Sequence, residues 1–404
     1  MTGAPAQRSS RTLVAILVYG GEEFVPACIE SVARLVIPGE VDALVLDDCS
    51  VDEQWSFGLR AQCAALGVGY YRSPRNMGIP RNMNLALLHG ASAGYDYVVI
   101  ANSDVVFPAN LVSGLVSTVQ ADPAIASVTA WSNQVSSFSL VNLDPAEMLG
   151  SRERIDRVSL LLEAHFAGRP VEIPVGVGFC MLVPVAMIRE VGLLDPIFGR
   201  GYCEEVDWCL RAKEFGYRNV LAPSAFVYHI GNATTKTVGI LEHWETSDPA
   251  NEAIIDLRYP TYRADLTAWD GRTMLEDLRA EAATQLVLAG AREFGYVVEV
   301  AAIARQFEQH DRARFVVSPD QRRRRMYAMQ GGFEVEMRLD AGSVLDQLER
   351  LIGGPPEAVV VRDRSAQSHA LVELSHARGV PLIDTYSYPQ MAAPPGPAEQ
   401  IARR

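Results

Sequence analysis

The chain lacks the features that mark several large classes of protein. Its longest apolar runs, such as Thr12 to Val18 and Tyr97 to Ala101, have the length of a strand and are far too short to cross a bilayer. Residues Met1 to Arg11 contain no apolar signal core, so the expected location is cytoplasmic, with at most a peripheral association with a membrane. Basic residues are outnumbered: 36 Lys and Arg face 49 Asp and Glu, and the net charge of -13 argues against broad nucleic-acid binding. The six cysteines form no Cys-x-x-Cys pair and no zinc spacing, which leaves them as small buried hydrophobes. A phosphate loop of the Gly-x-x-x-x-Gly-Lys-Ser/Thr type is missing, and no Gly-x-Gly-x-x-Gly follows the first apolar run. Kinase and dehydrogenase chemistry are therefore disfavoured.

What is present is a globular composition, 49% hydrophobic and 21% charged, over 404 residues. That length exceeds one ordinary core and predicts two domains. The run Thr12 to Val18 reads as a buried parallel strand, a helical pattern follows over Phe24 to Leu35, and Val41 to Leu46 reads as a second strand. Strand, helix and strand in this order make a βαβ unit, whose ligands bind outside the carboxyl ends of the strands. Asp47 lies at that edge. Val68 to Arg72 and Asp96 to Ala101 read as further strands, the latter running into Asn102-Ser103-Asp104. Arg75 to Asn82 opens a helix with Pro80 in its first turn, where exposed amides with Arg75 and Arg81 suit a diphosphate.

The stretch Asp195 to Gly231 concentrates the chemistry. Glu204, Glu205 and Asp207 enter a helix in which Val206, Cys209, Leu210 and Phe215 recur near the helical period, and a strand behind it ends at His229. Acids in a first turn are also favoured by the helix dipole alone, and Asp207 with Arg211 makes an ordinary i,i+4 pair. Asp47 and Asp104, taken singly, are equally readable as helix caps. It is the ordered series that points to a site. Trp131 with the polar run to Asn142 reads as an acceptor-side loop, and Trp208 as a sugar-stacking or packing aromatic.

Over Thr12 to Lys236 this series resembles the GT-A glycosyltransferases, specifically glycosyltransferase family 2 in the branch of rhamnosyl- and galactofuranosyl-transferases. The strand ending in Tyr19 resembles the opening strand, with Gly20 where the family has Asn. LVLDDCSVDE resembles the base-reading loop and implies Asp47 as the base contact. RNMGIPRNMNLAL resembles the helix entrance beneath the donor, which implies donor contacts from Arg75, Asn76, Gly78, Arg81 and Asn82. ANSDVVF resembles the DXD element in its Asn-x-Asp form, with Asp104 on the metal and Asn102 beside the donor. VGFCMLVPVAMIREVGLLDPIF resembles the acceptor-side strand. GYCEEVDWCLRA resembles the catalytic helix, with Glu205 at the position of the base, Glu204 able to serve instead, and Asp207 completing the acids. VYHIGNAT resembles the strand end whose His joins the metal, here His229.

The resemblance implies an α/β fold: a GT-A, Rossmann-like catalytic domain with a mainly parallel sheet over residues 1–240. A connector is expected over 241–265, a smaller α/β domain over 266–390, and a Pro-rich flexible tail over 391–404. The second domain should alternate helices and strands from 273 to 384, with Arg322 to Arg325 on a solvated helix face or contacting a phosphate or acidic acceptor, and homo-oligomerisation, acceptor docking and a degenerate nucleotide-binding fold are open to it. The implied activity is inverting, Mn2+- or Mg2+-dependent transfer from a UDP- or dTDP-linked sugar to a saccharide, lipid-linked or small-molecule acceptor. A catalytically drifted sugar-nucleotide-binding or scaffolding protein is the alternative, motivated by Gly20 and Glu205.

Overall fold

A computed structural model describes residues 10–133, 135, 139–140, 151–230, 248–269, 271–300, 313–317, 325–330, 333–338, 343–361 and 366–384. The chain divides into two compact units, the first made of the residues to Ser139 and of Ser151–Arg272, the second made chiefly of the residues from Thr273 on. The expected Pro-rich tail lies outside the described residues.

The first unit begins with β1 (Thr12–Val18), α1 (Val25–Ala33), β2 (Val41–Asp47), α2 (Glu53–Ala65), β3 (Gly69–Arg72), α3 (Ile79–Ser92) and β4 (Tyr97–Asn102). These four strands pair in parallel in the order β3-β2-β1-β4, with Val18 opposite Asp47 and Leu17 opposite Asn102. Their carboxyl ends therefore lie along one edge. Next come β5 (Val105–Val106), α4 (Leu111–Gln120), β6 (Ile125–Ser132), α5 (Arg152–Phe166), β7 (Val171–Ile173), β8 (Cys180–Pro184) and α6 (Val185–Glu190). After a 3-10 turn at Pro196–Phe198 the unit continues with α7 (Glu204–Glu214), β9 (Arg218–His229), α8 (Pro249–Arg258) and α9 (Tyr262–Ala268). The sheet extends β4-β8-β6-β9-β5, with β8 antiparallel to both neighbours and β6 parallel to β9.

The period of two in β1 explains the layering. Val14, Ile16 and Val18 join Val45 and Val99 in a core closed by Leu111, Leu115 and Val119 of α4, while Leu13 and Ala15 join Val98 and Ile100 against Met83, Ala86 and Leu87 of α3. Each of the Val, Leu, Ile and Met side chains so withdrawn from water contributes about 1.5–3 kcal/mol. An apolar strand with a helix on each face is thereby buried on both.

Residues 241–265 were expected to be an irregular connector, yet 248–268 fold into α8 and α9, and Ile255 and Tyr262 share a core with Phe198 and Leu210. The signal was in the sequence: Asp248 caps α8, accepting from the amides of Ala250 and Asn251, and Pro249 occupies the first turn. No helix of the described residues is long and apolar enough to cross a membrane.

In the second unit α10 (Gly271–Phe294), β10 (Tyr296–Val300), β11 (Ala313–Val317), β12 (Arg325–Gln330), β13 (Phe333–Arg338), α11 (Val344–Ile352), β14 (Ala358–Val361), α12 (Ala366–Arg378) and β15 (Leu382–Asp384) build a sheet of order β13-β12-β11-β10-β14-β15. Tyr296, Val298, Phe315, Leu345, Leu348, Val359 and Leu371 form its core. The β12–β13 hairpin was not foreseen. Arg325, expected on a helix face, opens β12, and residues 322–324 lie outside the described residues. The apolar run MYAMQ and the alternating FEVEMR on either side of Gly331-Gly332 are the hairpin signal that the basic run obscured.

Candidate active site

Asp47, at the tip of β2, is fully buried. Its Oδ1 accepts from the Ser50 amide (2.8 Å) and hydroxyl (2.7 Å), and its Oδ2 from the Ser56 hydroxyl (2.8 Å) and the Tyr70 hydroxyl (2.7 Å). Arg72 Nε stands 3.4 Å from Oδ2. A carboxylate so occupied organises its own loop; the same bond and burial push the Tyr70 phenol up. The neighbouring Asp48, passed over in the sequence, accepts from the amides of Met77 (2.8 Å) and Gly78 (2.9 Å) and so ties the β2 tip to the start of α3. The half-buried Tyr19 follows β1 at this edge, and the next amide, Gly20, donates to Ser50 Oγ at 2.9 Å.

At the start of α3, Arg75, Asn76 and Arg81 are exposed, whereas Asn82 is buried and its Nδ2 donates to Leu46 O (3.1 Å). Gly78 has φ +84°, and a Cβ there would lie 2.2 Å from Gly199 O. Only glycine permits that approach. Ile79 N donates to Arg200 O (3.1 Å), so the loop leading to α7 rests on the start of α3.

Asn102, half-buried at the tip of β4, donates its amide to Phe179 O (2.9 Å). Two residues on, Asp104 is buried, and its Oδ1 lies 3.2 Å from Nε2 of the buried His229. Register explains the meeting, since Val105 pairs with His229 across β5 and β9 and Ile230 N donates to Asp104 O (2.8 Å). Two cis ligands, each about 2.1 Å from one octahedral cation, stand about 3 Å apart, so this oxygen and nitrogen fit a shared divalent ion. Among the described residues no group of three or more His, Cys, Asp and Glu is arranged to hold a metal.

At α7 the chain enters through Tyr202 (φ +71°) and Cys203 (φ +74°), two consecutive left-handed residues that are not glycine. Such conformations cost about 1–3 kcal/mol each and persist only where the surroundings hold them. Glu204, buried, and Glu205, half-buried, follow as two adjacent carboxyl groups that act on each other. Burial, then the charge of Glu205, drives Glu204 well up; burial raises Glu205 as well, opposed by hydrogen bonds that include the Gly178 amide. A Cβ on Gly178 would lie 2.8 Å from Met83 Cε and 3.8 Å from Glu205 Oε1. The next residue, Phe179, sets its ring 5.4 Å from that of His229. The turn 178–179 thus touches both the carboxyl pair and the Asp104–His229 pair.

Asp207, expected with the catalytic acids, stands apart from this chemistry. Its oxygens bind Arg211 Nε (3.0 Å), Arg258 Nη1 (2.7 Å) and the Tyr259 hydroxyl (3.1 Å), so it locks α7 to α8. Trp208 is buried and donates to Gly192 O (2.8 Å), which makes it a packing residue rather than a sugar platform. Trp131 is not on a loop: it lies in β6, fully buried and edge-on to Phe166. Of the six cysteines, Cys28, Cys63, Cys180 and Cys209 are buried as expected, but Cys49 and Cys203 are half-buried.

Residues 13–192 match the family model described as Glycosyl transferase family 2. No curated protein matches the chain. Among solved structures it is similar to the mannosyltransferase PcManGT from Pyrobaculum calidifontis in complex with GDP-Man and Mn2+, at 14% identity and TM-score 0.42 over 70% of this chain and 76% of that one. It is similar also to GalNAc-T7 with UDP, GalNAc and Mn2+ (16% identity, TM-score 0.45, 69% of this chain and 55% of that one). A third is TarS 1-349 of S. aureus (14% identity, TM-score 0.38, 70% and 82%).

Proposed function

We propose that this chain, whose residues 13–192 match the model of glycosyl transferase family 2, is an inverting, divalent-metal-dependent transferase. It moves a sugar from a UDP- or dTDP-linked donor to a hydroxyl of a saccharide, lipid-linked or small-molecule acceptor. The observation that carries this reading is the turn 178–179, which contacts Glu205 through one residue and His229 through the next.

Asp104 and His229 would hold Mn2+ or Mg2+, and the imidazole favours Mn2+. Such a cation offsets the charge developing on the leaving diphosphate. The remaining work falls to the chain. Glu205 accepts the proton of the acceptor hydroxyl as its oxygen bonds to the anomeric carbon and the bond from that carbon to phosphate breaks, which inverts the configuration. Glu204, holding a proton and bonded to Glu205, keeps the pair from carrying two charges in a buried site. Arg75, Asn76 and Arg81 are exposed beside the amides of the α3 entrance, a setting suited to diphosphate oxygens, and Tyr19, Asn102 and Gly78 shape the same edge. Asp47 supports the nucleotide loop, and Asn82 the α3 entrance, through the hydrogen bonds each makes.

Cytoplasmic location and self-association through the second unit belong to the same proposal, and cell fractionation with light scattering tests them. For the activity, nucleotide sugars are screened by thermal shift with Mn2+, and free nucleoside diphosphate is then measured. A binder whose machinery has drifted would be stabilised by donor yet release no nucleoside diphosphate. An active enzyme hydrolyses its donor slowly even without acceptor and loses that hydrolysis on chelation.

A further inference from the structure

The loop between the 3-10 turn and α7 is gripped from α8. Asn251, buried, directs its single side-chain amino group at three carbonyls: Phe198 O (3.0 Å), Gly201 O (2.8 Å) and Tyr202 O (3.0 Å). An amide nitrogen has two hydrogens, so one of them is shared. These carbonyls belong to the turn that ends in the left-handed pair Tyr202 and Cys203, immediately before Glu204 and Glu205. At the far end of α8, Arg258 binds Asp195 Oδ2 (2.7 Å) and Asp207 Oδ1 (2.7 Å), one on each side of the loop, and Ile255 packs between with Phe198 and Leu210. The helix therefore holds residues 195–207 at both ends and along its length.

We propose that Asn251 is a positioning residue for Glu205: by satisfying the three inward carbonyls it holds the chain in the left-handed conformation that aims the carboxyl pair at the turn 178–179. This rests on reading Glu205 as the proton acceptor. Relaxed, Tyr202 and Cys203 move towards ordinary backbone angles, α7 starts at a different place, and the carboxylate shifts relative to the anomeric carbon. A displacement of about 1 Å at such a group costs about 100-fold in rate. A residue that only docks one helix on another would instead alter the folded fraction and leave the turnover of folded molecules unchanged.

The test uses the full chain with Mn2+ and a donor that the wild type hydrolyses, and compares Asn251→Ala, Asn251→Ala/Cys203→Gly and Glu205→Gln. Turnover, donor KM, nucleoside-diphosphate affinity and melting temperature are measured for each. Asn251→Ala should lose about 100-fold in kcat with unchanged nucleotide affinity. Adding Cys203→Gly, which removes the steric penalty of the left-handed angle, should recover about tenfold of that loss. Unchanged kcat in folded Asn251→Ala, or no recovery in the double variant, overturns the inference while leaving Glu205 as the base. Wild-type turnover in Glu205→Gln overturns the base reading and the inference with it. Should Asn251→Ala fail to fold, Asn251→Gln carries the test: it keeps the amide but displaces it by a methylene, so a partial kcat loss at full nucleotide affinity is expected, and an unaltered kcat overturns the proposal.

Discussion

The side-chain amide of Asn133 clasps the main chain of His229: its Oδ1 accepts from His229 N (2.7 Å) and its Nδ2 donates to His229 O (3.0 Å). Asn133 lies just past the end of β6, whose ladder with β9 runs parallel to Ser132 opposite Val227, so the side chain continues a pairing that the backbone has left off. The imidazole that faces Asp104 is thereby fixed in register rather than hung from a free strand end.

Asn133→Ala is expected to weaken Mn2+ binding in the presence of nucleoside diphosphate by about 10- to 100-fold, as loss of an outer-shell partner does elsewhere. Two buried main-chain groups also lose their partner, so a destabilisation of about 1–3 kcal/mol should accompany it. Calorimetric titration and thermal unfolding read the two effects separately. Full metal affinity in the variant would remove Asn133 from the support of the site.

Glu205→Gln should lower turnover by about 100- to 10,000-fold at unchanged donor affinity. Glu204→Gln should be milder, because the amide still donates to Glu205. Steady-state kinetics on both variants decide which glutamate accepts the proton, and equal losses would reject the assignment.

The same pair sets a pH dependence of stability. Burial and the adjacent Glu205 raise Glu204 well above the ordinary glutamate value of 4.5, so the folded chain keeps a proton that the unfolded chain releases. Its contribution is fully present below 4.5 and is lost as pH rises through the folded value. Relative to Glu204→Gln, the wild-type melting temperature should therefore fall with rising pH over that interval. A difference between the two that is flat with pH would mean that Glu204 is not held protonated.

Asp207 is fully buried between Arg211 and Arg258. Asp207→Ala should cost about 3 kcal/mol by leaving two guanidinium groups without their shared carboxylate. The loss should appear in chemical denaturation, whereas turnover per folded molecule should stay well above that of Glu205→Gln.

Gly78→Ala places a methyl group 2.2 Å from Gly199 O at φ +84°. The start of α3 must then part from the loop 199–201, and nucleoside-diphosphate affinity should drop by more than tenfold if the α3 entrance binds the diphosphate. Titration with nucleotide and Mn2+ checks it; retained affinity would move the diphosphate away from this helix.

Much of the first unit was legible because its signals are local. The apolar runs at Thr12–Val18, Val41–Leu46 and Tyr97–Ala101 read as buried strands and lie in β1, β2 and β4, with polar residues at their carboxyl ends along one edge. α8 and the β12–β13 hairpin were missed although Asp248-Pro249 and Gly331-Gly332 announced them, since neighbouring aromatic or basic residues suggested irregular chain and helix instead. Trp131 shows the opposite error: a polar neighbourhood in sequence made a loop of a fully buried strand residue.

By itself the sequence singled out the residues that carry the proposed chemistry: Asp104 and His229 for a cation, two adjacent glutamates for a proton, and Arg75 and Arg81 at a helix entrance for a diphosphate. Only the tertiary structure decided how the acids divide the labour. Asp47, Asp48, Glu204, Glu205 and Asp207 are alike as carboxylates, but Asp47 is consumed by hydroxyls, Asp48 by two amides and Asp207 by arginines, whereas Glu204 and Glu205 lie side by side, both raised by burial. The physical reason is that a carboxylate's role is set by which donors reach it through space, and those donors arrive from strands and helices far away in the chain.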